Sequence, residues 1–232
     1  MRSGALGVAH GHFVNRHAVP FAEQNFPSLG EAELKAGAQR LSAVQGASSC
    51  GYGFRPYLYS DAEIHRLLSA GLEMPCRFER GELRPWVYYC LFGLLSVSGL
   101  RLGEARNLEL QDVDLKTAVL TIRGAKFGKT RLVPLHRTTC NVLAEYISRR
   151  KRHWGQRPVS SHLFVSSSGH RLDGADIHRT FYALSRQISL RGPSNSHGPR
   201  LHDMRQHAES RIMPNLFQTR RLEGLGRFSR SA

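Results

Sequence analysis

The sequence contains no apolar run long enough to cross a membrane. Its longest such run, Trp86 to Val97, has about a dozen residues and includes polar ones, whereas a membrane-spanning helix needs roughly 20. The first residues, MRSGALGVAHGHF, contain no continuous apolar core, so we expect no secretory signal. These absences predict a cytoplasmic protein with no membrane partner.

Cysteine is also scarce. The four cysteines are far apart in the sequence, and no two of them form a C-x-x-C pair. This spacing argues against a disulfide framework and a zinc site, and it predicts reduced thiols. His10 and His12 are too isolated to indicate a metal site. The cysteines are Cys50, Cys76, Cys90 and Cys140.

Acidic residues are few relative to basic ones. The 232 residues include 33 Lys and Arg against 18 Asp and Glu, which gives a net charge of +15. Such an excess predicts a polyanionic partner, with nucleic acid the leading candidate, although a basic protein without such a partner remains an alternative. Residues 123–157 hold 10 basic residues and 1 acidic residue, a net charge of +9. Charge of one sign concentrated in this way suggests a binding face.

The hydrophobic pattern predicts an α+β fold that is mainly helical, with one β-hairpin. Ser60 and Glu63 have the spacing of a helix capping box. Pro85 can open a helix that is apolar on nearly all sides through Val97, as expected of a buried central helix. The remaining predicted helices are 102–108, 139–152, one that Asp173 caps and one from about residue 200, and the predicted strands are 116–123, 131–135 and 163–165.

Three sequence motifs together provide the groups needed for phosphodiester chemistry without a metal. Arg101 lies at the tip between two helices, Lys126 lies in the hairpin turn, and His202 precedes Arg205 by three residues. Two guanidiniums can hold a phosphate and stabilise its transition state, while a lysine or histidine can transfer a proton. Taken singly, each residue has a simpler interpretation: a helix-start arginine, a solvated lysine and a capping histidine.

These motifs, read as SGLRLGEARNLELQDVDL, LTIRGAKFGKTRLVPLH and GPRLHDMR, resemble those of the phage integrase or tyrosine recombinase family. The resemblance extends over roughly residues 57–205. It implies a tyrosine-recombinase catalytic domain that acts in DNA integration or site-specific recombination. Its expected partners are DNA and other recombinase subunits. It implies no metal, no nucleotide cofactor and no small-molecule substrate.

The resemblance also implies roles for individual residues. Arg101 takes the position of the first catalytic arginine, and Glu104 supports that site. His202 and Arg205 take the two positions of the His-x-x-Arg motif.

The hairpin turn contains two lysines that fit the family pattern unequally. Lys126 is favoured as the catalytic hairpin lysine over Lys129, because the family's lysine stands at the start of this turn. The basic window supplies further candidate contacts to DNA phosphates, although the run at residues 149–152 is equally consistent with a solvated helix end. These DNA-binding candidates are Lys129, Arg131, Arg149, Arg150, Lys151 and Arg152.

The sequence departs from the family pattern after Arg205. The family places its tyrosine nucleophile beyond the His-x-x-Arg motif, but the 27 residues at 206–232 contain no tyrosine, and the last one is Tyr182. We therefore expect a chain that binds DNA and the scissile phosphate but does not cleave alone, unless a partner supplies the tyrosine. The alternative is a non-catalytic DNA-binding remnant or regulator of a mobile element.

Three regions are expected along the chain. Residues 1–55 are predicted to be a poorly ordered N-terminal arm, because they are rich in Gly, Ala and Ser and show weak periodicity. Residues 56–212 are predicted to form the incomplete catalytic domain. Residues 213–232 are predicted to be an irregular basic tail.

Overall fold

The computed structural model of the protein describes residues 57–75, 82–124, 130–192 and 198–209. The predicted arm at 1–55, the predicted tail at 213–232, and Lys126 and Lys129 all lie outside the described residues. So do Cys50 and Cys76.

The described residues form a mainly helical α+β fold with a small antiparallel sheet, which confirms the predicted fold class. The longest helices are α2 and α4, and the short helix α3 leads through a single 3₁₀ turn into the sheet. A helical stretch over residues 203–209 is labelled α6. In chain order the elements are α1 (Asp61–Leu72), α2 (Leu83–Ser98), α3 (Leu102–Asn107), the 3₁₀ turn (Leu110–Asp112), β1 (Val113–Asp114), β2 (Val119–Ile122), β3 (Arg131–Pro134), α4 (Arg137–Trp154) and α5 (Gly174–Gln187).

Helix α1 begins at the predicted capping box. The Ser60 hydroxyl accepts from the Glu63 amide at 3.3 Å, and the Ser60 amide donates to the Glu63 carboxylate at 2.8 Å. This reciprocal pair satisfies two amides that have no partner inside the helix. The buried face of α1, which includes Ile64, Leu67 and Leu68, then packs against α2.

Helix α2 lies at the centre of the core, as its all-round apolar sequence predicts. Leu91, Phe92 and Leu94 are fully buried, and Phe92 contacts Phe181 of α5 edge to face with ring centroids 5.9 Å apart. Gly99 ends the helix in the left-handed region with φ of 63°, a conformation that costs glycine little. The chain therefore turns sharply just before Arg101.

The sheet contains the predicted hairpin and one strand that the sequence pattern did not reveal. Strand β2 pairs antiparallel with β3, with Leu120 opposite Val133, and both of these residues are buried. The additional strand β1 has only two residues and pairs with the other edge of β2. Pro134 ends the edge strand β3, where its missing amide removes no bond from the sheet interior.

The prediction of a strand at residues 163–165 was wrong. This segment makes no ladder, and its neighbourhood contains only two isolated bridges, Glu109 with His162 and Val165 with Arg171. The segment is nevertheless buried, because Leu163, Phe164 and Val165 pack into the core. Its β-branched and aromatic composition therefore reflects burial without regular strand pairing.

Helix α5 begins where the sequence predicts it. The Asp173 carboxylate accepts from the amides of Ala175 and Asp176, at 3.0 and 3.3 Å. This N-cap orients the predicted apolar stripe, on which Ile177 and Phe181 are fully buried.

Three further features concern the described ranges. None of the helices there is long and apolar enough to cross a membrane. Cys90 and Cys140 are buried free thiols, and burial raises the pKa of both. The same ranges hold no group of three potential metal ligands among His, Cys, Asp and Glu.

Candidate functional site

Arg101 is presented at the junction of α2 and α3. It follows the left-handed turn at Gly99 and has extended backbone geometry as the N-cap residue of α3. Its side chain is 47% exposed. Its amide and its Nη1 both donate to the carboxylate of Glu104. The guanidinium therefore keeps donors directed toward solvent.

Glu104 connects the Arg101 turn to the sheet. One carboxylate oxygen, Oε2, accepts from the Arg101 amide and from Arg131 Nη2, each at 2.8 Å. The other, Oε1, accepts from Arg101 Nη1 at 3.2 Å. The carboxylate is only 10% exposed, whereas the Arg131 side chain is 39% exposed. A single carboxylate thus holds two arginines from different elements.

The charge state of Glu104 follows from these contacts. Burial raises the pKa of a carboxyl group, but the hydrogen bonds from the Arg101 amide and from Arg131 outweigh that effect and lower the pKa of Glu104 below its ordinary value. Glu104 is therefore ionised at neutral pH and holds both guanidiniums as charge-assisted partners.

The His-x-x-Arg motif lies at the start of α6. The Arg200 amide donates to the buried Asp203 carboxylate at 2.8 Å, which closes the turn before the helix. His202 is exposed. The Arg205 side chain is partly buried and its Nε lies 2.6 Å from Oε1 of Glu209, one helical turn later. Both side chains of the motif therefore begin at the same helix end.

The two parts of the predicted site lie on elements that touch. A Cβ atom built on Gly99 would lie 3.8 Å from Cγ of Glu209 and 4.0 Å from Cβ of Ala208. Glu209 is the ion-pair partner of Arg205, and Gly99 is two residues before Arg101. The α2–α3 turn that carries Arg101 therefore lies next to the helix that carries Arg205.

The position of α6 depends on contacts that no sequence motif indicated. The Tyr59 hydroxyl donates to the Arg200 carbonyl at 2.8 Å, and His207 Nδ1 lies 2.8 Å from the Tyr59 carbonyl. Burial lowers the pKa of His207, which favours the neutral ring, with the proton on Nδ1 directed at that carbonyl. The segment before α1 thus anchors the helix that carries His202 and Arg205.

Arg191 has a similar anchoring role on the other side of the motif. Its Nη2 donates to the carbonyls of Gly198 and Pro199, at 3.0 and 2.6 Å. Its guanidinium also lies over the ring of Tyr182, 4.5 Å from the centroid. These contacts fix the backbone three and four residues before His202. The sequence analysis did not single out Arg191.

The four basic residues near the end of α4 differ in their surroundings. Arg149 Nε pairs with Glu145 at 2.7 Å, and its guanidinium stacks on Trp86 at 4.1 Å. Arg150 is 5% exposed, and its Nη2 donates to the carbonyls of Ser160 and His162. By contrast, Lys151 and Arg152 are exposed.

This difference divides the predicted DNA contacts at residues 149–152. Arg150 stabilises the fold by satisfying carbonyls of the loop after α4, so a phosphate cannot reach it without disrupting that loop. The burial of Arg150 therefore does not fit the DNA-binding role predicted for it. Lys151 and Arg152 remain candidate contacts to DNA phosphates. Arg149 is less available for such a contact, because its guanidinium stacks on Trp86.

The match to a known family extends over most of the chain. Residues 63–230 match the model of the Phage integrase family. The chain therefore belongs to this family, as its three motifs predicted. The matched range runs further toward the C-terminus than the resemblance noted from the motifs alone.

A similar protein of Sinorhizobium fredii, y4rB, carries an integrase/recombinase name. It is 70% identical over 151 residues, which cover 65% of this chain and 48% of y4rB. The chain spans about half the length of the curated relatives it matches.

Solved structures share the fold at lower sequence identity. The XerA recombinase aligns with a TM-score of 0.52 and 22% identity, over 73% of this chain and 54% of that structure. The XerH site-specific recombinase, in a pre-cleavage complex with its difH substrate, aligns with a TM-score of 0.52 and 22% identity, over 75% and 48% of the two chains. The fold of the described residues is therefore that of a tyrosine recombinase catalytic domain.

Proposed function

We propose that the chain acts in site-specific DNA recombination by binding duplex DNA and holding one phosphodiester between Arg101 and Arg205. The observation that carries this proposal is the contact between the Arg101 turn and the Arg205 helix. Two guanidiniums on adjoining elements can share one phosphate through bidentate hydrogen bonds. The net charge of +15 supplies the long-range attraction to DNA.

The two arginines are held ready for a phosphate by neighbouring carboxylates. Glu104 takes one edge of the Arg101 guanidinium, and Glu209 takes Nε of Arg205. Each carboxylate uses only part of a five-donor group, so donors remain for a ligand. Side chains that are fixed in advance lose less conformational entropy when the phosphate binds.

His202 and Lys126 complete the proposed phosphate site. His202 is exposed at the start of the helix that carries Arg205, where it can donate to a phosphate oxygen or transfer a proton. We assign Lys126, in the turn between β2 and β3, as the general acid for the leaving oxygen, on the resemblance noted above. Lys129 and Arg131 extend the basic surface around that turn.

We further propose that a polypeptide of these 232 residues binds without cleaving on its own. No tyrosine follows Arg205 within these residues, so a polypeptide limited to them lacks the family's nucleophile and would need another recombinase subunit to supply the attacking hydroxyl. The same observation favours a second candidate function, a DNA-binding regulator that occupies recombination sites. Incubation with a nicked suicide duplex tests the point that both views share, because a covalent adduct on the chain alone would contradict both.

The phosphate site can be located by charge neutralisation. A duplex selected by the protein from a random library is remade with single methylphosphonates, each of which removes one phosphate charge. Wild-type affinity should fall about 10-fold or more at one position, the loss expected for one charge-assisted hydrogen-bond pair. Arg101→Ala should lose a similar factor on unmodified DNA and little more at that position, because the contact is already absent.

Lys129→Ala serves as the matched control. It removes one positive charge from the basic window at residues 123–157, but we expect it to weaken binding less than Arg101→Ala does. It should also leave the methylphosphonate penalty at the critical position unchanged. Equal losses for the two variants at every position would show that Arg101 contributes only general charge, and the proposed phosphate site would be wrong.

A further inference from the structure

We propose that Arg131 is a positioning residue for Arg101 and that it acts through the carboxylate of Glu104. This inference rests on the proposed function, in which Arg101 binds the phosphate. The sequence placed Arg131 among direct DNA contacts, whereas the structure places its Nη2 at 2.8 Å from Oε2 of Glu104. The bridge Arg101–Glu104–Arg131 connects the α2–α3 turn to the first residue of β3.

The two carboxylate oxygens of Glu104 accept different hydrogen bonds within the bridge. Oε2 accepts from both the Arg101 amide and Arg131, so its position is fixed from two sides. Oε1 then accepts from Arg101 Nη1 at 3.2 Å, the longest of the three contacts. Without Arg131, the Glu104 carboxylate would be free to rotate toward Arg101 and to accept further hydrogen bonds from its guanidinium.

Charge gives a second reason for the bridge. Arg101 and Glu104 alone form a neutral pair, which attracts a phosphate weakly. With Arg131 on the same carboxylate, the three side chains carry a net charge of +1. Because Glu104 is only 10% exposed, water screens these charges less than it would at an open surface. Arg131 thus keeps Arg101 electropositive while Glu104 holds it in place.

The position of Arg131 also links Arg101 to the hairpin. Arg131 begins β3 and pairs with Ile122 at the end of β2, so it is close in sequence to Lys126, which lies between the two strands. The contact of Arg131 with Glu104 sets where the ends of these two strands lie relative to the Arg101 guanidinium. We therefore expect substitutions of Arg131 to weaken the contact between Arg101 and its phosphate.

The test measures the methylphosphonate penalty in Arg131→Met and Arg131→Lys. At the critical phosphate, we expect the wild-type penalty of about 10-fold to fall to about 3-fold in Arg131→Met, because the Arg101 contact is weakened. Penalties at the other positions should stay the same. Arg131→Lys keeps the charge and one donor toward Glu104, so it should restore most of the penalty.

Arg123→Met is the matched control. Arg123 follows β2 at the same hairpin and also pairs with a carboxylate, Asp112, at 2.7 Å, but that carboxylate does not touch Arg101. This variant should leave the penalty at the critical phosphate unchanged. If Arg131→Met fails to fold, as shown by loss of its thermal transition, Arg131→Gln provides the same comparison with one neutral donor retained.

The outcomes separate this inference from the proposed function. If Arg131→Met abolishes the penalty at a different phosphate and leaves the critical one intact, Arg131 contacts DNA directly and the inference is overturned alone. If the wild-type protein shows no dominant phosphate in the scan, the proposed function fails and this inference fails with it. A selective fall at the Arg101 phosphate, with rescue by Arg131→Lys, supports both.

Discussion

The molecule has two groups of arginines that look alike in the sequence and differ in the fold. Around Glu104, Arg101 and Arg131 share one carboxylate and remain 47% and 39% exposed. Near the end of α4, Arg150 is 5% exposed and is bound to two carbonyls of its own chain. Arg101 and Arg131 therefore keep guanidinium donors for a ligand, whereas the buried Arg150 does not.

The difference teaches that charge density does not by itself identify a binding site. A guanidinium has five donors, and its availability depends on how many of them the fold already uses. A carboxylate partner occupies one edge and leaves the other edges free, as at Glu104. Buried carbonyl partners require the whole group to leave water, as at Arg150, and such an arginine serves stability.

The largest effect should come from Arg150→Met. This change keeps much of the apolar stem but leaves the carbonyls of Ser160 and His162 without their donor, so we expect a loss of about 2–4 kcal/mol in the free energy of unfolding. The measurement is the urea midpoint, followed by far-ultraviolet circular dichroism. DNA affinity of the folded variant should change little.

The neighbouring residue provides the control for this prediction. Lys151→Met removes the same charge from an exposed position one residue along α4, and it should change the stability by less than about 0.5 kcal/mol. If the urea midpoints of the two variants were equal, Arg150 would not be a structural residue. Its place among the DNA contacts would then be restored.

The first arginine group should respond to pH through Glu104. Because the pKa of Glu104 is lower in the folded chain than its ordinary value of 4.5, its contribution to stability is fully present above that value and is lost as the pH falls through the folded pKa. Glu104→Gln should therefore cost about 1–2 kcal/mol at pH 7, since it replaces charge-assisted hydrogen bonds. The difference in the free energy of unfolding between Glu104→Gln and the wild type should narrow below about pH 4.5.

Urea titrations of both proteins at pH 7 and pH 4 test this expectation. The quantity to compare is the difference between the two proteins at each pH, since other carboxyl groups titrate in both. Asp176→Asn is a matched control, because Asp176 pairs with Arg179 on the exposed side of α5. A Glu104→Gln gap that stays constant between pH 7 and pH 4 would contradict the ionised bridge.

The sequence predicts the local parts of this fold well, because the interactions that define them span few residues. The capping box at Ser60 and the cap at Asp173 each join groups two or three residues apart. The contact of Tyr59 with Arg200 joins residues 141 positions apart, and no periodicity encodes it. Strand β1 was not predicted, because two residues are too few to show an alternation of apolar and polar side chains.

The sequence motifs name the residues of the proposed site, and the roles assigned to those residues stay predictions. The motifs identified Arg101, Glu104, His202 and Arg205, but the charge count treated Arg150 as a DNA contact. A signal for its burial is present in the sequence, because Arg150 follows Tyr146 by four residues and so lies on the same face of α4 as that buried aromatic residue. A basic residue on an apolar helical face should be expected to bond buried carbonyls before it is assigned to a ligand.

The smallest effect should come from the exposed end of α4. Lys151→Ala with Arg152→Ala removes two charges at exposed positions, and Arg152 lies 3.8 Å from Glu145 and is 69% exposed. If both contact phosphates, DNA affinity should fall by about 3-fold per residue and the slope of log affinity against log salt should decrease by about 1 per contact. The methylphosphonate penalty at the Arg101 phosphate should be unaffected. An unchanged salt slope would show that α4 ends in solvent and would confine the DNA-binding surface to the region around Glu104 and the hairpin.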